Sequence, residues 1–166
     1  MKFERLTKEQ YAWVGLRLVL GWIMLWAFVD KLLGLGYATA ESRSWLNGGS
    51  PTTGYLANAA TGPFAGFYND LAGNGAVDVL FMLALLAVGL ATIFGVGQRI
   101  AGYAGALLML LLWTTHLPPD NNPIVDDHIV YMILFLAMTI VKPGQWLGLG
   151  KWWANNKLVK RFPILE

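Results

Sequence analysis

The residue types able to carry charge, protons or a metal are few in this chain, and they gather at the ends of its apolar runs. Asp30 and Lys31 close the first run, Asp78 opens the second, His116 ends the third, and Asp126, Asp127 and His128 open the fourth. His116 and His128 are the only histidines. Ionisable groups within or beside membrane-buried segments are costly, so they mark functional sites by default. At about 100° per residue, Arg17, Gly21, Met24, Phe28 and Lys31 fall on one stripe, with Asp30 turned toward Trp22 and Trp26. Asp127, Tyr131 and Leu134 share a face, and Trp113 lies one turn below His116. A pocket bounded by Trp26, Trp113 and Tyr131, with Lys31 and both histidines at its mouth, would suit a flat apolar molecule with a polar or anionic end. A quinone beside a small anion fits that description.

Each residue also has a plainer role open to it. Lys31 can snorkel to the headgroups. Asp126 and Asp127 can cap a helix N-terminus and complement its dipole. The tryptophans can be packing or interface residues, and the histidines can make structural hydrogen bonds. Bis-histidine haem ligation and a metal at Asp126, Asp127 and His128 are sterically open, but nothing else in the chain supports them, so no metal or haem is expected. Arg17, about two turns inside the first run, is expected to pair with a carbonyl or other polar group and so order the helices.

The elements that must position these groups follow from composition. Hydrophobic residues make up 56% of the 166 and charged residues 13%, about half the charged share of a soluble domain. Lipid is the simpler solvent for such a chain. With no cysteine, disulfides, thiolate nucleophiles and cysteine-ligated centres are excluded. A formal charge of +2 is too small to point to nucleic acid. Apolar runs near residues 11–35, 76–96, 99–117 and 124–141 approach the roughly 20 residues that cross a hydrocarbon core. They must be helices, because each backbone polar group in lipid is satisfied within its own segment. The expectation is a single all-α domain, an integral membrane four-helix bundle with neighbouring antiparallel helices. Gly102 and Gly105 allow close approach in the third helix.

Orientation follows from lysine and arginine. Lys2, Arg5, Lys8, Arg99, Lys142, Lys151, Lys157, Lys160 and Arg161 share one side, against Lys31 and Arg43 on the other, a bias of nine to two. The positive-inside rule then puts both termini in the cytoplasm of a multi-pass protein in the cell membrane. Trp146, Trp152 and Trp153 read as interfacial aromatics on that side. Residues 1–10 read as a retained tail without a signal-peptide cleavage pattern. Residues 36–75 form a long outer loop. Phe64, Phe67, Tyr68 and Leu71 after Pro63 predict one short amphipathic helix there. Residues 41–46 predict another, and residues 50–54 a turn. The loop is either a cap on the membrane surface or a lid over a site.

Six stretches spread over nearly the whole chain form a recognisable set. They are Arg17-Leu18-Val19-Leu20-Gly21 through Asp30-Lys31-Leu32, Trp45-Leu46-Asn47-Gly48-Gly49-Ser50-Pro51-Thr52 and Gly62-Pro63-Phe64-Ala65. Gln98-Arg99-Ile100-Ala101, Asn121-Asn122-Pro123 before Asp126-Asp127-His128, and Gly148-Leu149-Gly150-Lys151-Trp152-Trp153 complete the set. Together they resemble the DoxX/DoxD-like membrane proteins. The resemblance implies the small subunit of a thiosulfate:quinone oxidoreductase, with quinone as substrate and a second subunit as partner. On that reading Lys31, Arg43, His116 and His128 hold the thiosulfate dianion. Asp126 or Asp127, with the histidines, exchanges protons, and Trp26, Trp113 and Tyr131 line the quinone slot. Asp30 and Asp78 belong to the same substrate-facing ring. The other expectation is a non-catalytic subunit of a respiratory or other membrane complex, able to oligomerise. A small-anion carrier is the least favoured, since no pair of broken helices marks a transport site.

Overall fold

The computed structural model describes residues 5–120 and 122–166, and no strand occurs among them. Lys2 and Asn121, used in the sequence argument, lie outside the described residues. Four long helices form the body: α1 (Lys8–Leu33), α4 (Gly75–Phe94), α5 (Gln98–Thr114) and α6 (Asp127–Val141). Between α1 and α4 stand α2 (Thr53–Asn58) and α3 (Ala65–Leu71); α7 (Gly150–Ala154) and α8 (Lys157–Arg161) follow α6. Two helices, α1 and α4, are long and apolar enough to cross a membrane.

Local chemistry sets the helix ends. Thr7 and Gln10 form a reciprocal capping box, which starts α1 three residues before the apolar run. Gly34 ends α1 at a left-handed φ of 70°, a conformation glycine adopts without steric cost. Its absent Cβ also leaves room for the backbone of Ala40 and Glu41. At the far end of α5, the Thr115 hydroxyl donates back to Leu112 O at 2.5 Å, and the helix stops at Thr114 rather than at 117. Asp126 caps α6 by accepting from Ile129 N at 3.3 Å, so that helix opens three residues later than the apolar run.

One core joins all four long helices: Leu20 and Met24 of α1, Met82, Leu85 and Val88 of α4, Met109 of α5, and Phe135 and Met138 of α6. Chain neighbours pack together, α1 on α4, α4 on α5 and α5 on α6. Small residues set the closest approaches. A Cβ on Gly89 would come within 2.8 Å of Leu25 N, and one on Gly105 within 2.8 Å of the Phe135 ring. Much of the remaining helix surface is apolar and exposed, including Val19, Leu80, Leu107 and Ile140.

Arg17 is wholly buried at the opposite end from the loop. Its guanidinium donates to Thr92 O at 3.0 Å, to Ile93 O, and to Leu147 O at 3.0 Å. Two of these carbonyls lie in the last turn of α4, where no intrahelical N–H reaches them. The carbonyl partner expected for this arginine is therefore the frayed end of α4.

The loop is tied to the helix ends by polar side chains. Asp30 accepts from Ala38 N at 3.0 Å and Tyr37 N at 3.4 Å. Asp78 accepts from the hydroxyls of Ser50 (2.8 Å) and Thr52 (2.5 Å) and from Thr52 N (3.2 Å). Tyr68 donates to Leu111 O at 3.1 Å. The expected amphipathic helix is α3, preceded by a 3-10 turn over Gly62–Phe64. Of its apolar stripe Tyr68 is buried, whereas Phe64 and Phe67 are exposed. Residues 41–47 form two 3-10 turns instead of one helix, and α2 extends the expected turn at 50–54 into six helical residues.

Candidate functional site

His116, Asp126, Asp127 and His128 come together where α5 ends and α6 begins. They line an open cleft of about 290 Å³ with Pro119, Asp120, Asn122 and Val125. The turn between the helices brings them there, because α5 and α6 pack antiparallel along their length. The indole N–H of Trp113 secures that turn by donating to Ile124 O at 2.9 Å, and Asn122 accepts from Ile124 N and Val125 N at 3.0 Å each.

His128 and Asp126 form the tightest polar pair in the cleft. Nδ1 of His128 lies 2.8 Å from Asp126 Oδ2 and 3.7 Å from Asp127 Oδ1. Burial pushes the Asp126 carboxyl up. The His128 hydrogen bond, the Ile129 N–H and the His128 charge outweigh burial and hold it below the usual range. One carboxylate thus serves as helix cap and as imidazole partner. Donor atoms of Asp126, Asp127 and His128 lie within 4.8 Å of one another, close enough to share one divalent cation.

His116 belongs to a different network on the opposite side of the cleft. Its Nδ1 sits 2.7 Å from the Thr115 hydroxyl and 3.1 Å from the Tyr55 hydroxyl, which are themselves 2.6 Å apart. Thr61 N donates to Thr115 O at 2.7 Å, and Thr61 bridges to His116, so the loop backbone braces the histidine. With Nδ1 engaged, Nε2 is the ring nitrogen left for a ligand. Burial raises the Tyr55 phenol; the Thr115 hydrogen bond opposes this, and the fields of Tyr68 and Asp126 add to it. Tyr55 is therefore a neutral donor. Nothing in the sequence singled it out, since it lies 60 residues from Thr115 and in no periodic pattern.

The other expected site residues lie elsewhere. None of Trp26, Trp113, Tyr131 and Lys31 lines this cleft. Trp26 stacks near Trp22 and meets Tyr37 edge-on, with centroids 5.7 and 5.2 Å apart. Tyr131 packs half-buried against the core. Lys31 is half-buried in the last turn of α1, and Arg43 is exposed on the first 3-10 turn. Asp30 and Asp78 are buried, and they hold the loop as described above. The outer ring thus divides into one four-residue cleft and two loop anchors.

The class defined by these observations is an all-helical protein with two helices able to span a membrane and a histidine–carboxylate cleft between α5 and α6. Comparison with family models, curated proteins and solved structures finds no match to this chain.

Proposed function

We propose that the chain is a four-crossing membrane protein with both ends in the cytoplasm, and that it is a quinone-reactive subunit of the thiosulfate:quinone oxidoreductase type. The resemblance to the DoxX/DoxD-like proteins supplies the reaction. Two thiosulfate dianions join through a new S–S bond to give tetrathionate, and the two electrons released reduce a quinone, which takes two protons to become the quinol. The observation that carries the reading is the cleft. Its two imidazoles, His128 held by the Asp126 carboxylate and His116 braced by hydroxyls, are the side-chain type most used to pass protons to a substrate. In a four-crossing arrangement α5 spans about 26 Å from its 17 residues and α6 about 22 Å from its 15. Local thinning of the bilayer makes up the remainder.

The carboxylates constrain where the donor binds. Asp120, Asp126 and Asp127 line the same cleft, and like charge disfavours a dianion there. The proposal therefore assigns the cleft to proton exchange and the thiosulfate to the cations of the α1 end, Lys31 and Arg43. A second reading, a non-catalytic subunit of a larger membrane complex, draws on Asp30 and Asp78. Both carboxylates are consumed in anchoring the loop, as an architectural role requires.

Quinone reduction by the purified protein in detergent, followed optically, separates the two readings. Thiosulfate is the donor, and sulfite and no donor are the controls. Enzymatic turnover requires thiosulfate and falls at least about tenfold in His128→Ala and in Lys31→Ala. A folded parent that shows no turnover, even with membrane extract added, would overturn catalysis in favour of the accessory role.

A further inference from the structure

We propose that the segment from Gly148 to Leu165 is a binding surface for anionic phospholipid headgroups of the leaflet that the proposed topology places on the cytoplasmic side. The inference rests on the four-crossing reading and deepens it, from a bilayer in general to one class of lipid at one end of the molecule.

The segment is folded and fixed in place. Leu149 N donates to Phe94 O at 2.8 Å, which ties it to the turn between α4 and α5. The Trp153 indole donates to Leu165 O at 2.5 Å, and Arg99 N donates to Glu166 O at 2.8 Å. Four cations stand on it: Lys151 on α7, and Lys157, Lys160 and Arg161 on α8. All four are exposed. No acidic residue lies between His128 and Glu166. Glu166 itself is occupied, with Lys142 Nζ at 2.6 Å and the Gln145 amide at 2.7 Å. The four charges thus have no carboxylate partner among the described residues.

Apolar side chains are interleaved with these cations. Trp152 is 66% exposed, and Leu158 and Ile164 are each about half exposed. The Arg161 guanidinium lies 5.4 Å from the centre of the Phe162 ring, a cation held over an aromatic face. Water is a poor solvent for such a surface, and a soluble polyanion would match only its charge. A membrane interface matches both components: acyl chains take Trp152, Leu158 and Ile164, and phosphodiesters take the cations.

The test uses the full chain reconstituted in vesicles of equal phosphatidylcholine and phosphatidylglycerol, followed by native mass spectrometry of the lipids it retains. The retained lipid should favour phosphatidylglycerol over phosphatidylcholine by roughly tenfold or more, against the vesicle ratio of one. A K151Q/K157Q/K160Q/R161Q variant should return the retained lipid to the vesicle ratio, a loss of roughly tenfold or more in selectivity. If that variant fails to fold, K157Q/K160Q carries the comparison, and K157R/K160R should keep the enrichment. No enrichment in the parent, or enrichment that survives charge removal, would overturn the proposal. So would displacement of the lipid by a short RNA beyond the effect of salt at equal ionic strength. Washing the vesicles with alkaline carbonate separates the two levels of inference. Loss of the parent from the membrane sinks the four-crossing reading together with this one, whereas retention without headgroup preference sinks this one alone.

Discussion

At the scale of single residues, side chains at the helix ends carry the information. Asp126 caps α6 and holds His128, so its removal tests both roles. In the folded chain its carboxyl titrates below the ordinary value near 3.8. Its contribution to stability is therefore fully present above that value and is lost as pH falls through the folded value. Asp126→Ala should cost about 1 kcal/mol at pH 7, the usual worth of an N-cap. It should also flatten the acid limb of a thermal-unfolding series recorded by circular dichroism. An unchanged limb would show that Asp126 does not couple protonation to folding. Arg17 makes a second case. Removing it leaves the carbonyls of Thr92 and Ile93 unpaired in a buried site, and each such group costs about 1–3 kcal/mol. Arg17→Met should therefore destabilise by on the order of 3 kcal/mol in denaturant titrations in detergent micelles. Arg17→Lys should recover only part of this, because a lysine ammonium cannot fork across three acceptors as a guanidinium does. Full rescue by lysine would show that charge alone, and not the fork, is what α4 needs.

At the scale of elements, the apolar runs were legible because burial imposes a pattern on them. The four long helices lie within three residues of the runs at either end. What was not legible is the work done by polar side chains across the loop. Asp78 reads from sequence as a charge at a membrane edge. Only the fold shows that Ser50 and Thr52, 28 and 26 residues away, donate to its Oδ1. Tyr55 and His116 meet through contacts that no local periodicity encodes. The expected aromatic slot dispersed for a similar reason. Helix phase fixes the side of a helix that Trp26 occupies but not which neighbour faces that side, and the facing partner is Tyr37 of the loop. Small residues were legible in α5, yet among the glycines inside α1 and α4 the tightest approach to a neighbouring backbone is at Gly89. An added Cβ there meets the backbone of Leu25 at 2.8 Å and 3.1 Å. A helix backbone cannot yield as a flexible side chain can, so Gly89→Ala should force α1 and α4 apart and cost about 1–3 kcal/mol. Gly15→Ala, with open space around its Cβ, should be neutral or slightly stabilising. Denaturant unfolding of the two variants in detergent compares them directly. Equal stability would mean that α1 and α4 do not pack as described.

At the scale of the whole molecule, the two ends differ in kind. The loop end carries the histidine–carboxylate cleft and the anchoring carboxylates; the other end carries buried Arg17, the fixed C-terminal segment and most of the cations. A four-crossing protein must show that polarity as sidedness, and the chain is convenient for measuring it because it contains no cysteine. Single cysteines can be placed at exposed polar positions without first removing native ones. Asn58→Cys at the end of α2 and Asp120→Cys at the cleft report the loop end, while Lys8→Cys at the start of α1 and Asn155→Cys after α7 report the other; all four positions are exposed. In right-side-out vesicles an impermeant maleimide should label the first pair and spare the second, and inverted vesicles should reverse the result. Labelling of all four from one side would exclude α1 and α6 as crossings and leave at most α4 and α5 in the membrane, as a hairpin. With α6 outside the membrane the four-crossing reading falls, and quinone chemistry at the cleft between α5 and α6 falls with it. Labelling of Asn58→Cys and Asn155→Cys from opposite faces requires an odd number of crossings between residues 58 and 155, which α4, α5 and α6 supply together. The same result with Asp120→Cys on the loop side puts an even number of those crossings before residue 120, two where α4 spans, and one after it, and so places the cleft on the face from which an external donor arrives.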